Sequence, residues 1–161
     1  MSARAAGMGT SFTAVASDAS ALFYNPAGLA RLNAHELDFS FASGQGETSI
    51  QNFAYAGPTP FTGVSGNGYT SAGANLLYSQ SGTIEINRVN PNGSLGASES
   101  MSAGSDLVLS GAYAERVGMT PLELRDATYQ IDHYMGVAGK YVRSTIVTQT
   151  GSAIAADAGY L

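Results

Sequence analysis

A chain of 161 residues has the length of about one domain, and its net charge of −5, with seven scattered Lys and Arg, offers nothing to neutralise a row of phosphates, so nucleic-acid binding is set aside. The absence of cysteine excludes disulfides, thiolate metal sites and a Cys nucleophile, and fits an oxidising envelope compartment. No apolar run reaches the roughly 18 residues of a membrane-spanning helix. A charged share of only 12% and a mean hydropathy of +0.01 suit strands that are apolar on one face and small or polar on the other, whether in a transmembrane β-barrel or a soluble β-protein.

The opening Met1-Ser2-Ala3-Arg4 lacks the apolar core of an export signal, so the chain reads as a mature start. The export sequence is expected to have been removed or to lie outside the fragment. Residues 1–16 are small and apolar, with Gly7 and Gly9 lending freedom. Gly7-Met8-Gly9 lacks the rest of a phosphate-binding loop and reads as a flexible N-terminal segment. Asp18 is placed as N-cap of a short helix through Leu22 and Phe23. Asn25 cannot stay helical before Pro26, but it can cap a second short helix over 27–32 with Pro26 at its first position. Asn33 suits the left-handed end of that helix. The segment 17–33 is therefore a helix-hinge-helix unit with Leu22, Phe23, Leu29 and Leu32 as its apolar teeth. Replacing Pro26 with Ala is expected to merge 19–32 into one helix and to raise leakage.

From Glu36 onward the period is two. Leu37, Phe39 and Phe41 alternate with Asp38 and Ser40. Similar runs over 48–57, 71–80, 82–89, 105–116, 133–147 and 152–161 bring the expected strands to seven. Residues 58–67 and 90–104 read as loose, turn-rich connections. In the latter, Asn92-Gly93-Ser94 matches a glycosylation sequon but reads better as a turn. Thr120, Pro121 and Glu123 form a capping box, which predicts a loop helix near 120–130. Tyr55, Tyr78, Tyr113, Tyr141 and Tyr160 fall near strand ends. That fits an aromatic girdle at a membrane boundary, or simply the preference of Tyr for strands.

No constellation carries catalysis. His35 and His133 stand far apart, one at each edge of an expected strand, and read as rim residues rather than a metal pair. No Ser sits in a nucleophile elbow. Asp38, Glu85, Asp106, Asp132 and Asp157 occupy lumen-like or loop positions. Lys140 shares a small-residue face with Gly136 and Ala138, and a buried Asp–Lys pair there would be structural or would line a solute path. Asp106 and Lys140 are the candidate lumen charges. No catalytic residue, cofactor or metal is assigned.

Over 2–32, "SARAAGMGTSFTAVASDASALFYNPAGLARL", the chain closely resembles the N-terminus of FadL/PorV-like outer-membrane proteins, which include long-chain fatty acid transporters and a component of the type IX secretion system. Asn25-Pro26-Ala27-Gly28 is the centre of the match, and "GVAGKYVRSTI" and "AIAADAGYL" look like strands of that family. The resemblance implies an all-β, antiparallel transmembrane β-barrel of about fourteen strands in the bacterial outer membrane. Residues 1–35 would form a hatch, and Leu22, Phe23, Asn25, Pro26, Ala27, Gly28, Leu29 and Leu32 would lie inside the barrel as its plug. Residues 36–161 would then supply about half the strands of such a barrel, so an open sheet with two unpaired edges is expected from a truncated piece. The function implied is a conduit for hydrophobic solutes, with Lys140 and Arg143 as candidate charges for a carboxylate, or a part in protein secretion or surface attachment. Partners would be outer-membrane lipid and hydrophobic small molecules or secretion-system proteins. A soluble or surface-exposed β-domain with an adhesive role is the alternative.

Overall fold

The computed structural model describes residues 3–9, 11–44, 47–66, 68–91, 93–124 and 127–161. Six strands form one antiparallel sheet in chain order. They are β1 (Glu36–Ser43), β2 (Ser49–Pro58), β3 (Thr70–Val89), β4 (Leu95–Leu124), β5 (Ala127–Ile146) and β6 (Gln149–Tyr160). Each pairs only with its neighbours in sequence, so the sheet is open, with β1 and β6 as its edges. The all-β antiparallel class is as expected. Six strands replace the expected seven because 71–80 and 82–89 are one continuous β3.

Two stretches expected as connections are strand instead. Within 90–104, residues from Leu95 onward run back along β3, with Ile84 opposite Met101 and Ile86 opposite Glu99. Thr83, Ile84 and Ile86 are β-branched, and the Ser-rich partner alternates with Ala97, Glu99, Met101 and Ala103, so it pairs without a local strand preference of its own. Asn90 and Ser94 close the turn, with Gly93 at φ +80; Asn92 lies outside the described residues. The helix expected near 120–130 is a correction. Thr120 pairs with Ile131, Leu122 with Tyr129 and Glu123 with Thr128 in the β4–β5 hairpin, whose tip, Arg125 and Asp126, lies outside the described residues. The Thr120 hydroxyl bonds His133 Nε2 at 2.8 Å instead of capping a helix. A capping box is worth little beside a ladder in which Thr128, Tyr129 and Ile131 all favour strand.

The N-terminal residues lie on one face of this sheet. Helix α1 (Ala3–Gly7) is followed by a turn with Gly9 at φ +61, so the stretch read as flexible is partly helical. Helix α2 (Ala21–Tyr24) leads through Asn25 into a 3-10 helix (Pro26–Arg31). Phe12, Ala16, Leu22 and Leu29 form a core with Ala54, Ala56 and Ala114 of the sheet. Leu22 and Leu29 are fully buried, each contributing about 1.5–3 kcal/mol. Small residues on the strands permit this approach. A Cβ on Gly136 would sit 2.5 Å from the Ala27 nitrogen, and one on Gly73 would sit 3.2 Å from Leu22 Cδ1. The face carrying Gly73, Gly136 and Gly159 is called inner below, and its opposite outer.

Candidate functional site

The inner site is organised by Asn25. Its backbone is extended (φ −160, ψ 104), which separates the two helical pieces. Its Oδ1 accepts from the Ala27 N–H at 3.1 Å, so Asn25 caps the 3-10 helix with Pro26 in the first turn, as expected. Its Nδ2 donates to the Thr13 and Tyr160 carbonyls, each at 3.2 Å. One buried amide thus joins the N-terminal strand of chain, the helix and the edge strand β6. Pro26, Ala27 and Leu29 are buried around it, and Leu32 nearly so; Phe23 is half-buried beside the core. Gly28 is required by crowding, since a Cβ there would strike the Ala16 carbonyl. Two local expectations shift. Asp18 accepts from the Ser20 N–H at 3.0 Å, so it organises the turn before α2, which begins at Ala21. The 3-10 helix ends at Leu32 in extended backbone, and Asn33 has no positive φ. The opposite edge is tied by Glu36, whose Oε2 accepts from the Ala19 N–H at 2.9 Å.

Beneath this segment the inner face is small and polar. Asn52 donates to Asp38 at 3.1 Å, and Asn75 donates to Asn52 and to the Phe53 carbonyl. Across the next rungs, Ser110 and then Lys140 lie level with Asn75. Lys140 forms an ion pair with Asp157. A cavity of about 720 Å³ lies between the N-terminal segment and β6, lined by Phe23, Tyr24, Asn25, Pro26, Lys140 and Asp157. Asp106 shares the face but not the site, being four residues from Ser110 on β4, about 13 Å along the strand. Arg143, weighed with Lys140 as a charge for a solute, lies on the outer face: it is an odd number of residues from Lys140 on one strand, and successive side chains alternate. The sequence missed Asn52 and Asn75 as a bonded pair, whereas Asp157, read as a lumen-like carboxylate, is the ion-pair partner of Lys140. Asn is disfavoured in strands, so two of them inside strand runs were the available signal.

The outer face is apolar and exposed except at its Thr70 and Glu115 end, where Gly63 and Val64 of the β2–β3 connection lie over it and the Val64 N–H donates to Glu115 at 2.8 Å. Leu37, Phe39, Phe53, Leu109, Val137 and Ile154 all expose much of their surface, reaching 86% at Ile154. On three adjacent strands this face is bounded by polar residues at both ends. Thr70 and Gln80 enclose 71–79, Ser105 and Glu115 enclose 106–114, and His133 and Arg143 enclose 134–142. Each interval is nine residues. The charges inside these intervals, Asp106 and Lys140, point to the inner face by strand alternation, as do Glu36, Asp38 and Asp157 on neighbouring strands, while the outer-face charges Glu115 and Arg143 stand at the bounding positions. At one end of the outer face the tyrosines are capped. The Tyr55 hydroxyl bonds His35 Nδ1 at 2.9 Å with the rings stacked 5.9 Å apart, Tyr113 donates to Glu115 at 3.0 Å, and Tyr160 bonds His133 Nδ1 with the rings stacked.

No protein-family model matches the chain, and neither a curated protein nor a solved structure matches it.

Proposed function

We propose that this chain builds part of the wall of an outer-membrane β-barrel of the FadL/PorV type, with the N-terminal segment as a plug on the lumen side. One observation carries the reading: on three adjacent strands the outer face is apolar over nine residues, with its charges Glu115 and Arg143 only at the bounds, while the charges inside those intervals, Asp106 and Lys140, lie on the opposite face. Nine residues suit a membrane strand of about 9–11. They span about 30 Å along the strand, or roughly 21–25 Å in height at a tilt of about 35–45°. An apolar surface this continuous is foreign to an isolated soluble domain. In lipid, β1 and β6 must be paired, so the reading requires closing strands beside both edges.

The role proposed is a conduit for hydrophobic solutes or a component of protein secretion or surface attachment, in the bacterial outer membrane. Lys140 is already neutralised by Asp157, which favours a structural pair behind the plug over capture of a solute carboxylate. Nothing in the site supplies a nucleophile with a base, and no reaction is proposed. The test is fractionation of cells expressing the full-length protein, with detergent extraction and an alkaline wash. Recovery in the outer membrane after the wash is expected. Full recovery in the soluble fraction would favour the alternative, a soluble or surface-exposed β-domain with an adhesive role.

A further inference from the structure

The outer-face tyrosines do not lie on one rung of the sheet. The rung through Tyr113 meets Gly57 on β2 and Ala158 on β6. Tyr55 stands two residues to one side of that rung and Tyr160 two residues to the other. The three tyrosines occupy alternate strands, so the line through them shifts one residue per strand in the same direction throughout. One residue is about 3.3 Å along a strand and neighbouring strands are about 4.8 Å apart, so the line crosses the rungs at about 35°. Strands of membrane barrels tilt by about 35–45°. Each of these tyrosines also turns its hydroxyl to a polar group at the same end of the sheet: His35, Glu115 or His133. A ring on the apolar band with its hydroxyl engaged beyond it is the arrangement that suits a boundary between hydrocarbon and headgroups.

We infer that Tyr55, Tyr113 and Tyr160 mark one membrane–water boundary, that their line is parallel to the bilayer plane, and that the strands cross the bilayer at about 35° to its normal. The partner surface is the glycerol and headgroup layer of a phospholipid bilayer. This rests on the barrel reading above and adds a depth for each residue. Tyr55 and Ala156 share a rung. Ala156 is nevertheless four residues from Tyr160 on β6, about 13 Å along the strand, and belongs deep in the hydrocarbon.

These 161 residues have neither Trp nor Cys, so once any in the closing strands are replaced a single introduced residue reports alone. The full chain would be reconstituted in phosphatidylcholine vesicles brominated at defined acyl positions, as Tyr55→Trp, Tyr113→Trp, Tyr160→Trp and Ala156→Trp. The three tyrosine replacements should be quenched alike, most strongly by bromine near the headgroup, and Ala156→Trp most strongly by bromine deep in the chain. If Ala156→Trp instead matches Tyr55→Trp while Tyr160→Trp is unquenched, the boundary follows the rungs and the inference fails. If no variant is quenched and none floats with vesicles, the bilayer reading fails and takes the boundary with it. Cysteine at the same four positions, carrying a small polarity-sensitive label, repeats the depth measurement without the bulk of indole and must give the same order.

Discussion

Asn25 concentrates more of the inner site than any other side chain. It is 6% exposed and makes bonds to three separate segments. Asn25→Ala would leave the Thr13 and Tyr160 carbonyls and the Ala27 N–H without this partner, at an expected cost of about 2–3 kcal/mol. Asn25→Asp keeps the acceptor for Ala27 but faces carboxylate oxygen toward two carbonyls, and should cost at least as much; urea unfolding of the reconstituted protein would measure both. Pro26 is different. The break between the helices is set by the extended backbone of Asn25 and its tethers, so Pro26→Ala should keep two helical pieces rather than merge 19–32, at no more than about 1 kcal/mol. Vesicle leakage should accordingly rise more for Asn25→Ala than for Pro26→Ala; the reverse order would return the hinge to the proline. At the β5–β6 turn, Val147 holds φ +56, a left-handed conformation that a β-branched residue adopts at a cost. Val147→Gly should raise the unfolding free energy by about 1 kcal/mol, because a two-residue hairpin loop prefers Gly at its first position.

At the scale of elements, β5 contains its own controlled comparison. Gly136 faces the N-terminal segment, and a Cβ there would sit 2.5 Å from Ala27 N and Pro26 C, both backbone atoms. Gly139, three residues on, faces outward with nothing within 4 Å. Gly136→Ala should therefore push the N-terminal segment off the sheet, costing about 1–3 kcal/mol, with faster proteolysis near Ser11–Thr13. Gly139→Ala should be nearly neutral. The pattern of two from Glu36 onward was legible because each run has one apolar and one small or polar face. The Asn25-Pro26 hinge was legible because both residues act locally. What misled was local chemistry overridden by pairing. Thr120, Pro121 and Glu123 are a helix start in isolation, and 95–104 has the composition of a loop; each became strand because a long neighbouring strand offered it a ladder. Strand preference depends on such neighbours far more than helix preference does.

For the whole molecule, orientation of a side chain decides what it can tolerate. Leu109 is near the middle of the outer band, and Val108 beside it points inward. In a bilayer, Leu109→Arg should lower the stability of the inserted protein by about 2–4 kcal/mol, while Val108→Arg should lose clearly less; equal losses would argue against a lipid-facing outer surface. The two-faced design was readable from alternation alone. The inner polar row was not, because register alone sets Asn52 within reach of Asn75 and puts Lys140 level with Asn75 across Ser110, and the three come from different strands. Sequence gives each strand its two faces, but nothing in one strand specifies which residue of the next will stand level with it.

The sheet also has a temporal order built into it. Each strand pairs only with the one before it, so hairpins can zip in succession with short loops to close. The N-terminal segment departs from that order, since it packs on β2, β4 and β5 and its bond from Asn25 to Tyr160 joins residues 135 apart. This last tether of the segment that precedes β1 can therefore form only after β6 has joined β5. Pulse-labelled hydrogen exchange during refolding should find protection at Ala27 and Gly28 arriving with β6 rather than with β1. The N-terminal segment would then act as a late checkpoint, completing its tethers only on a sheet whose final described strand is already in place.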